Sequence, residues 1–546
     1  MNRLDAKQGN AASALEPAWI GLPGMSRDAD PRQLGFKAAN LLRMAQLDLP
    51  VPQGFVLGTA GCTAYLADPA AFRPQLQAAL ERGLTVLEGA CQLGFGAARR
   101  PLLVSVRSGA PVSMPGMLDT ILNVGLCDTA LPGLLRLTGN PRLVWDAYRR
   151  LIQQFAEVVH GVAAAAFRAA TEQACHQAGI DDPRLLDFHA LRELTGSYQA
   201  IYREAVGADF PQAPRTQLAQ AAEAVYASWR SPRAQAFRRL NGIADELGTA
   251  VTVQRMVFGN AGGTSGAGVG FTRDPARGTP QLYLDFLFNA QGEDVVSGRF
   301  RAHDSQRLAE YLPAVQHELQ DIANRLEAAF GDVQDFEFTV ENGRLFMLQT
   351  RRAKRTPWAA LRIAVDRVSE GRLKPREALA QLQGIDLDAL EEQVLEQAPA
   401  ALASGVAAGI GIVSGHIALD LAEVDALNAA GRPALLVRPD IATEDIAGIA
   451  AAAGILTAQG SRTAHAAVVA RQLGKVCIVG CECLSIDRAA HCIRFGEQSF
   501  QAGDELTLDT STDGIARVFA GRLQLIRHKP LAWLAEVERW RQAQPA

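Results

Sequence analysis

A single histidine stands in the stretch GSRTAHAAVVAR, which runs from Gly460 to Arg471. Before it, the segment AGILTA predicts a short buried strand that ends in a turn of small residues. After it, apolar residues recur at helical spacing, and Gly474 offers a stop. The pattern predicts a strand, a turn and a helix, and it places His465 at the entrance of the helix.

The entrance of a helix suits a histidine that carries phosphate. The first N–H groups of a helix have no partner within it, so the entrance favours a neutral imidazole before phosphoryl transfer and a phosphoryl dianion after it. Thr463 adds a hydroxyl group two residues before His465. The alternative is a polar histidine that only caps the helix. The position of His465, taken alone, leaves both hypotheses open.

A β-hairpin is predicted nearer the N-terminus. Residues 334–340 and 344–350 read as two strands, and Asn342-Gly343 between them supplies the positive φ angles of a tight turn. Further β-rich runs cover residues 102–107, 250–258, 268–272 and 281–288, while 144–167 and 218–247 carry helical periodicity. This mixture predicts an α+β body with a helical insertion.

Polar residues alternate along both strands of the predicted hairpin. Asp335 and Glu337 point to one face of the first strand, and Gln349 and Arg351 share a face of the second. Carboxylate and amide oxygens suit Mg²⁺, and a nearby arginine suits the phosphates that such a metal bridges. The alternative is an ordinary amphipathic hairpin with one wet face.

These segments resemble the pyruvate phosphate dikinase and phosphoenolpyruvate synthase family. The stretch around His465 is similar to its phosphohistidine loop, G-G-M-T-S-H-A-A-V-V-A-R, which continues into G-K and a cysteine-containing strand; this chain continues with GKVCIVGC. Ser461-Arg462 replaces Gly-Met, and Ala464 replaces Ser. The resemblance implies that His465 takes up a phosphoryl group, with Thr463 as a second catalytic residue.

The resemblance also implies a domain of the ATP-grasp type. The hairpin QDFEFTVENGRLFMLQTR looks like the strand pair with which the family holds Mg-ATP. On that likeness Glu337 and Gln349 are ligands of Mg²⁺, Asp335 supports them, and Arg351 binds phosphate during catalysis. Asp285 is a further candidate for the nucleotide site.

Other segments resemble the same domain. LGFKAANL is similar to the entry motif L-G-G-K-G-A-N-L and implies that Lys37 contacts the triphosphate, although Phe36 and Ala38 replace two glycines. SVRSGAPVSMPGMLDT is similar to the segment S-V-R-S-G-A with its phosphate loop and implies a phosphate-binding, catalytic role for Arg107. A helix-to-helix likeness makes Arg149 a candidate for binding inorganic phosphate. No Walker-type P-loop sequence is present.

Composition narrows the class of protein. The 546 residues suggest three to four domains, and a net charge of −4 argues against a nucleic-acid surface. The N-terminus lacks the apolar core of a signal peptide, and no apolar run is long enough to span a bilayer, so we expect a cytoplasmic protein. The eight cysteines are expected to be reduced thiols. A metal site at the cluster of Cys477, Cys481, Cys483 and Cys492 is the alternative.

The predicted architecture is α+β and multidomain. It comprises an ATP-grasp-type nucleotide-binding domain with a helical insertion (1–356), a helical linker (357–400), a swivelling phosphohistidine α/β domain (401–525) and a C-terminal helix (526–546). The linker is polar and carries two helix breakers, which suits a connector that swings one domain relative to another.

The resemblance implies an ATP-dependent phosphotransferase that forms a phosphohistidine at His465 and releases AMP. Inorganic phosphate is the implied second acceptor, which yields pyrophosphate. Family members continue into a (β/α)₈ barrel that binds pyruvate, whereas residues 526–546 have room for one helix only. We therefore expect the phosphoryl group to pass to pyruvate on a separate barrel subunit. Two alternatives remain: another hydroxyl compound as acceptor, or a non-catalytic nucleotide-sensing regulator.

Overall fold

The computed structural model describes residues 15–22, 29–112, 114, 118–180, 182–296, 305–409, 411–440, 446–460, 465–510 and 515–543. The chain divides into two compact units. The first comprises Met1–Gly262 and Leu345–Thr350, and the second comprises Gly263–Arg344 and Arg351–Ala546. The predicted four-part division into domains stays a prediction.

The first unit contains a five-stranded sheet and a large helical part. Its strands are β1 (Ala18–Ile20), β2 (Gly54–Leu57), β3 (Gly94–Phe95), β4 (Pro101–Leu102), β5 (Val104–Gly109), β6 (Thr120–Val124) and β7 (Ala250–Arg255). Its helices are α1 (Pro31–Leu34), α2 (Phe36–Gln46), α3 (Thr59–Ala67), α4 (Pro69–Cys91), α5 (Leu131–Thr138), α6 (Pro141–His160), α7 (Ala165–Ala178), α8 (Phe188–Val206), α9 (Pro214–Ser228) and α10 (Pro232–Asn241).

The sheet of the first unit has the strand order β1-β2-β7-β5-β6, and every neighbouring pair is antiparallel. One apolar core joins this sheet to helices α4 to α9. The predicted helix 218–247 is in fact broken into α9 and α10, because Ser231 caps a new helix with Pro232 in its first turn. The predicted helix 144–167 likewise ends at Gly161, which adopts a left-handed conformation.

The second unit begins with a helix-covered sheet and continues into a barrel. One strand of that sheet, Arg344–Arg352, crosses the division, because its residues Leu345–Thr350 belong to the first unit. Its strands are β8 (Gly266–Phe271), β9 (Tyr283–Phe288), β10 (Gln334–Glu341), β11 (Arg344–Arg352), β12 (Glu392–Leu395), β13 (Ala403–Ala407), β14 (Ile412–Ala418), β15 (Ala434–Arg438), β16 (Gly454–Thr457), β17 (Val476–Val479), β18 (Leu484–Asp487), β19 (Cys492–Phe495), β20 (Gln498–Gln501), β21 (Glu505–Asp509), β22 (Ile515–Ala520) and β23 (Leu525–His528). Its helices are α11 (Gly292–Val296), α12 (Ser305–Tyr311), α13 (Pro313–Phe330), α14 (Pro357–Ser369), α15 (Pro375–Gln381), α16 (Leu421–Ala429), α17 (Ile446–Ala451), α18 (His465–Gln472) and α19 (Leu531–Gln542).

The predicted hairpin is confirmed as β10 and β11, in a sheet of order β11-β10-β8-β9. Asn342 and Gly343 both have positive φ angles, as its tight turn requires. On one face of this sheet, phenylalanine rings lie over glycines of the neighbouring strand. A Cβ atom added to Gly268 would lie 2.4 Å from a ring carbon of Phe338. Close packing on this face therefore leaves the polar residues of β10 to the other face.

Residues 403–520 form a closed seven-stranded barrel in the order β13-β17-β16-β15-β14-β21-β22. The pairs β14–β15, β15–β16 and β16–β17 are parallel, and helices α16, α17 and α18 make the three crossovers. Of the strand, turn and helix predicted around His465, the strand and the helix are confirmed by β16 and α18, while residues 461–464 between them lie outside the described residues. A small sheet of β18, β19 and β20 is inserted before β21.

The connector and the C-terminal segment pack together. Helices α14 and α15 form one apolar cluster with α19, and the rings of Trp358 and Trp533 meet edge to face at 5.3 Å. The connector also contains strand β12, which pairs with β23 in the C-terminal segment. The linker predicted as helical thus contains two helices and one short strand, and the predicted C-terminal helix is preceded by strand β23.

Arginine ion pairs join the connector to the sheet of the second unit. Buried Arg273 donates to Glu327 at 3.0 Å and to Glu370, at the end of α14, at 2.7 Å. Asp332 accepts a hydrogen bond from Arg355 at 2.6 Å. The pairs of Arg273 with Glu327 and of Asp332 with Arg355 are shielded from water and therefore costly to break, whereas Glu370, the partner in the connector, is partly exposed.

We predict that Gly268→Ala destabilises the second unit by about 1–3 kcal/mol, because the added methyl group overpacks the contact with Phe338. The measurement is thermal unfolding followed by circular dichroism. Gly292→Ala is the matched control, since no atom lies within 4 Å of a Cβ added there. Equal unfolding midpoints for Gly268→Ala and the unchanged protein would contradict the packing described.

Candidate active site

The register of three strands places the predicted acidic residues on one face of the sheet. Glu337 lies opposite Val269, and Val269 lies opposite Asp285. Asp335 lies opposite Phe271 in the same manner. Residues directly opposite each other in antiparallel strands point to the same side, so Asp335, Glu337 and Asp285 share a face. Glu337 and Asp285 are two strands apart, or about 10 Å between backbones.

Helix α18 of the barrel contacts this acidic face. The Arg471 guanidinium lies over the ring of Phe271 at 5.7 Å and over the ring of Tyr283 at 6.0 Å, within the range of a cation–π contact. Arg471 is buried, and its Nε donates to the Ala408 carbonyl at 3.0 Å. His465 begins the same helix six residues earlier, about 9 Å along its axis.

Two further contacts join the barrel to the sheet. The Tyr283 hydroxyl donates to the Ala407 carbonyl at 3.1 Å, and Arg277 donates to the Thr510 carbonyl. None of these three contact residues was assigned a role from the sequence. Arg471 was visible as the end of the histidine motif, but Arg277 and Tyr283 carry no motif, because their function depends on a surface built by a distant part of the chain.

Asp335 is paired with Arg351, whose Nε donates to its Oδ2 at 2.7 Å. Burial raises the pKa of Asp335, and the positive charges of Arg351 and Arg471 offset this effect only in part. Glu337 is half-buried on the same face and stays the other candidate carboxylate ligand.

Gln349 lies on the part of β11 that belongs to the first unit. The Asn40 amide donates to the Thr350 carbonyl at 2.7 Å, and the Met347 N–H donates to the Pro50 carbonyl at 2.7 Å. Gln349 is buried, and its Oε1 has no hydrogen-bond partner. A buried amide oxygen without a partner is costly unless a donor or a cation reaches it, so Gln349 fits a metal ligand.

The first unit brings the entry motif and the S-V-R-S-G-A segment together. A Cβ atom on Gly35 would lie 1.9 Å from the Gly109 carbonyl oxygen, so only glycine fits there. The same approach places Lys37 beside Gly109. Arg107, half-buried on β5, donates to the Leu348 carbonyl at 3.2 Å, one residue before Gln349. Lys37, Arg107 and Gln349 thus belong to one part of the first unit.

Arg149 lies on α6 in a buried charge cluster. Its Nη2 donates to Asp146 at 2.5 Å, and Asp146 also accepts from Arg150 at 3.0 Å and from the Asn260 amide at 3.2 Å. The Nε atom of Arg149 is buried without a partner. An orphaned guanidinium N–H suits an anion, and the phosphate contact of Arg149 stays a prediction.

Several predicted residues lie outside the described part of the chain. They include Thr463, Arg462 and the phosphate-loop glycine Gly116. His465 is described as the first residue of α18, and its side chain is not described. Within the described ranges, no group of three or more His, Cys, Asp or Glu side chains is arranged to hold a metal ion. Among the helices of those ranges, none has the length and apolar character needed to cross a membrane.

Two protein-family models match large parts of this chain. Residues 70–310 and 302–372 match the model of the pyruvate phosphate dikinase AMP/ATP-binding domain, and residues 431–513 match the mobile domain of PEP-utilising enzymes. The chain belongs to the pyruvate phosphate dikinase family. The first match contains the acidic hairpin, and the second contains the helix that begins at His465.

Several pyruvate, phosphate dikinases are similar to this chain over most of its length. The enzyme of Clostridium symbiosum is 42% identical over 489 residues, which are 88% of this chain and 56% of that protein. The enzyme of Rhizobium meliloti is 39% identical over 536 residues, or 95% of this chain and 59% of that protein. The chloroplastic enzyme 1 of Zea mays is 41% identical, over 88% and 51% respectively. The chain therefore spans little more than half the length of these dikinases.

The buried charge cluster around Arg149 should make the stability of the first unit depend on pH. Burial alone would raise the pKa of Asp146, but Arg149, Arg150 and Arg142 hold it well below its ordinary value of 3.8. An acid with a lowered pKa stabilises the fold above its unfolded pKa, and this stability is lost as pH falls through the folded pKa.

We therefore expect Asp146→Asn to destabilise the first unit by about 3–5 kcal/mol at neutral pH, because two arginines lose their buried partner. The gap between the two unfolding midpoints should narrow as pH falls below about 3.8. Asp209→Asn is the control, since Asp209 pairs with Arg203 at an exposed site. A gap that stays constant down to low pH would show that the Asp146 charge is not what stabilises the cluster.

Proposed function

We propose that this protein is an ATP-dependent phosphotransferase that charges His465 with a phosphoryl group from ATP and releases AMP. The observation that carries the proposal is the contact of α18 with the acidic face of β8, β9 and β10. A helix that begins with the motif histidine lies against the strands that bear the metal-ligand candidates. An enzyme that transfers phosphate from a metal-bound nucleotide needs these two elements near each other.

The first unit supplies the basic contacts in this proposal. Lys37 and Arg107 offset triphosphate charge that would otherwise oppose the approach of a nucleophile, and we propose a phosphate contact for Arg351 as well. An ATP-grasp-type domain is the architecture that we infer for the nucleotide-binding part of the chain. Asp285 completes the acidic face, and Thr463 precedes His465 in the histidine loop.

Mg²⁺ suits the donor groups of the ligands that we propose for it. Glu337 offers a carboxylate, and Gln349 offers a buried amide oxygen without a hydrogen-bond partner. Asp335 is proposed as their support, and it pairs with Arg351. When bound, the metal would neutralise charge on the phosphates. Within the second unit, the strand register sets the shared face of Asp335 and Glu337.

The barrel must also present the charged histidine to an acceptor, and we propose that it pivots on the ribbon of β12 and β23. The chain enters the barrel after β12 and leaves it through β23, and α19 then packs back on α14 and α15. Both ends of the barrel are thus anchored to the same cluster. A ribbon of two strands has little stability of its own, so residues 396–402 and 521–524 are the proposed hinges. The proposed pivot therefore lies after α14 and α15, the helices of the predicted connector.

We propose inorganic phosphate as the second acceptor, which gives pyrophosphate, with the charge cluster of Arg149 as its contact. Pyruvate is the proposed final acceptor, held by a (β/α)₈ barrel outside residues 1–546. Both assignments rest on the names and motifs of the related dikinases. A cytoplasmic location stays a prediction, since some relatives are chloroplastic.

The charging step predicts a specific label. ATP labelled on its β-phosphorus should leave acid-labile label on the protein, because the phosphoramidate bond hydrolyses in acid, and His465→Asn should remove it. His491→Asn is the matched control, an exposed histidine of the same unit. Labelling that survives His465→Asn, or release of ADP in place of AMP, would refute the mechanism. Binding of ATP with no label at all would favour a regulator.

The metal-ligand role proposed for Glu337 gives a second testable prediction. Glu337→Gln should slow labelling on the order of 10²–10³-fold, because a metal-ligating charge is lost from the phosphate site. The change should be measured as the initial rate of labelling over a range of Mg²⁺ concentrations. Glu310→Gln, at an exposed ion pair on α12, should leave the rate unchanged. An unaltered rate and Mg²⁺ dependence for Glu337→Gln would exclude that residue as a ligand.

A further inference from the structure

Two cysteines lie in one tight turn beside the histidine segment. Cys481 and Cys483 are the first and third residues of a turn closed by a hydrogen bond of 3.0 Å from the Leu484 N–H to the Cys481 carbonyl. Cys481 is buried in the barrel core, whereas Cys483 is exposed. The sequence predicted that these cysteines lie on a strand, but the strand β17 ends at Val479.

The turn brings the two cysteines close along the chain, with only Glu482 between them. A turn with cysteines at its first and third positions brings their Cα atoms within the span of a disulfide. Burial, and then the neighbouring Cys483, raise the pKa of Cys481 to about 12, so the buried thiol keeps its proton. An exposed cysteine with a second cysteine within disulfide span is the arrangement of a peroxide-reactive thiol with a resolving partner.

The turn is hydrogen-bonded to the segment that leads to His465. The Cys481 N–H donates to the Thr457 carbonyl at 3.0 Å, and the Gly480 N–H donates to the Gln459 carbonyl at 3.3 Å. Thr457 is the last residue of β16, the strand that precedes α18. A covalent change in the turn is therefore transmitted by backbone hydrogen bonds to the segment that precedes the histidine.

We propose that Cys481 and Cys483 form a peroxide-sensitive dithiol whose disulfide restricts phosphoryl loading of His465. Cys483 attacks the peroxide, its sulfur forms a bond to oxygen, the O–O bond breaks, and water leaves. The Cys481 sulfur then attacks the Cys483 sulfur, an S–S bond forms, the S–O bond breaks, and a second water leaves. Two electrons from the thiols reduce the peroxide, and both thiol protons end on water. The effect on loading rests on the proposed function, whereas the dithiol itself does not.

The test of the dithiol is chemical mapping on the full chain. The protein is treated with hydrogen peroxide, unfolded, blocked with N-ethylmaleimide and cut with trypsin. The peptide from Val476 to Arg488 carries three cysteines. In the oxidised protein we expect it to take up one maleimide, on Cys477, and to take up three after reduction with dithiothreitol. Alkylation of Cys481 and Cys483 after peroxide treatment, or sulfinic acid on Cys483 with Cys481 alkylated, would overturn the proposal.

The effect on loading is tested with labelled ATP. Peroxide should lower labelling of the unchanged protein on the order of tenfold or more, since small displacements at a reacting group have effects of that size, and dithiothreitol should restore it. Cys483→Ser, at an exposed position, should make labelling resistant to peroxide, whereas Cys91→Ser in the other unit should not. Equal peroxide sensitivity in Cys483→Ser would overturn control by this pair. A reduced protein that takes up no label would refute the charging step instead, and the disulfide map would still decide the dithiol.

Discussion

The register of three antiparallel strands constrains everything else in the second unit. Glycines on β8 admit phenylalanine rings on one side of the sheet, and this close packing fixes which residues of β10 can be buried there. Because side chains alternate, Asp335 and Glu337 are left on the opposite side, in line with Val269 and Asp285. A slip of one residue would exchange the two faces and bury the carboxylates against aromatic rings. The chemistry of the acidic face thus depends on a packing arrangement behind it.

Charge then determines which parts of the second unit hold together. Two ion pairs, Arg273 with Glu327 of α13 and Asp332 with Arg355, are shielded from water, and Arg273 also pairs with the more exposed Glu370 at the end of α14. The barrel is held to the sheet in a different way, by the stacked Arg471 and by single hydrogen bonds from Tyr283 and Arg277. The proposed movement of the barrel would break few contacts of this kind. This contrast is the reason for proposing a pivot at the ribbon of β12 and β23, beyond α14.

Much of this could be predicted from local sequence. The Asn-Gly turn, the alternation of polar residues on the hairpin and the helix that begins at His465 each depend on a few neighbouring residues, and each is found in the structure. Two long helices were predicted too long, because apolar residues continue at helical spacing past their true ends. Ser231 caps the start of a new helix, and the left-handed Gly161 ends the other. The strand β12 of the helical linker was not predicted, because it is stabilised by a partner more than a hundred residues away.

The sequence by itself determined the chemistry available: one histidine at a helix entrance, a set of carboxylates with an amide, and arginine and lysine in loops suited to phosphate. Local periodicity and turn residues specify these features without reference to distant parts of the chain. Only the tertiary structure decided which of them meet. Arg471 reaches Phe271, Asp335 is already paired with Arg351, and the oxygen of Gln349 is buried without a partner. These contacts arise from burial and strand register between segments far apart in the chain, and no local pattern encodes them.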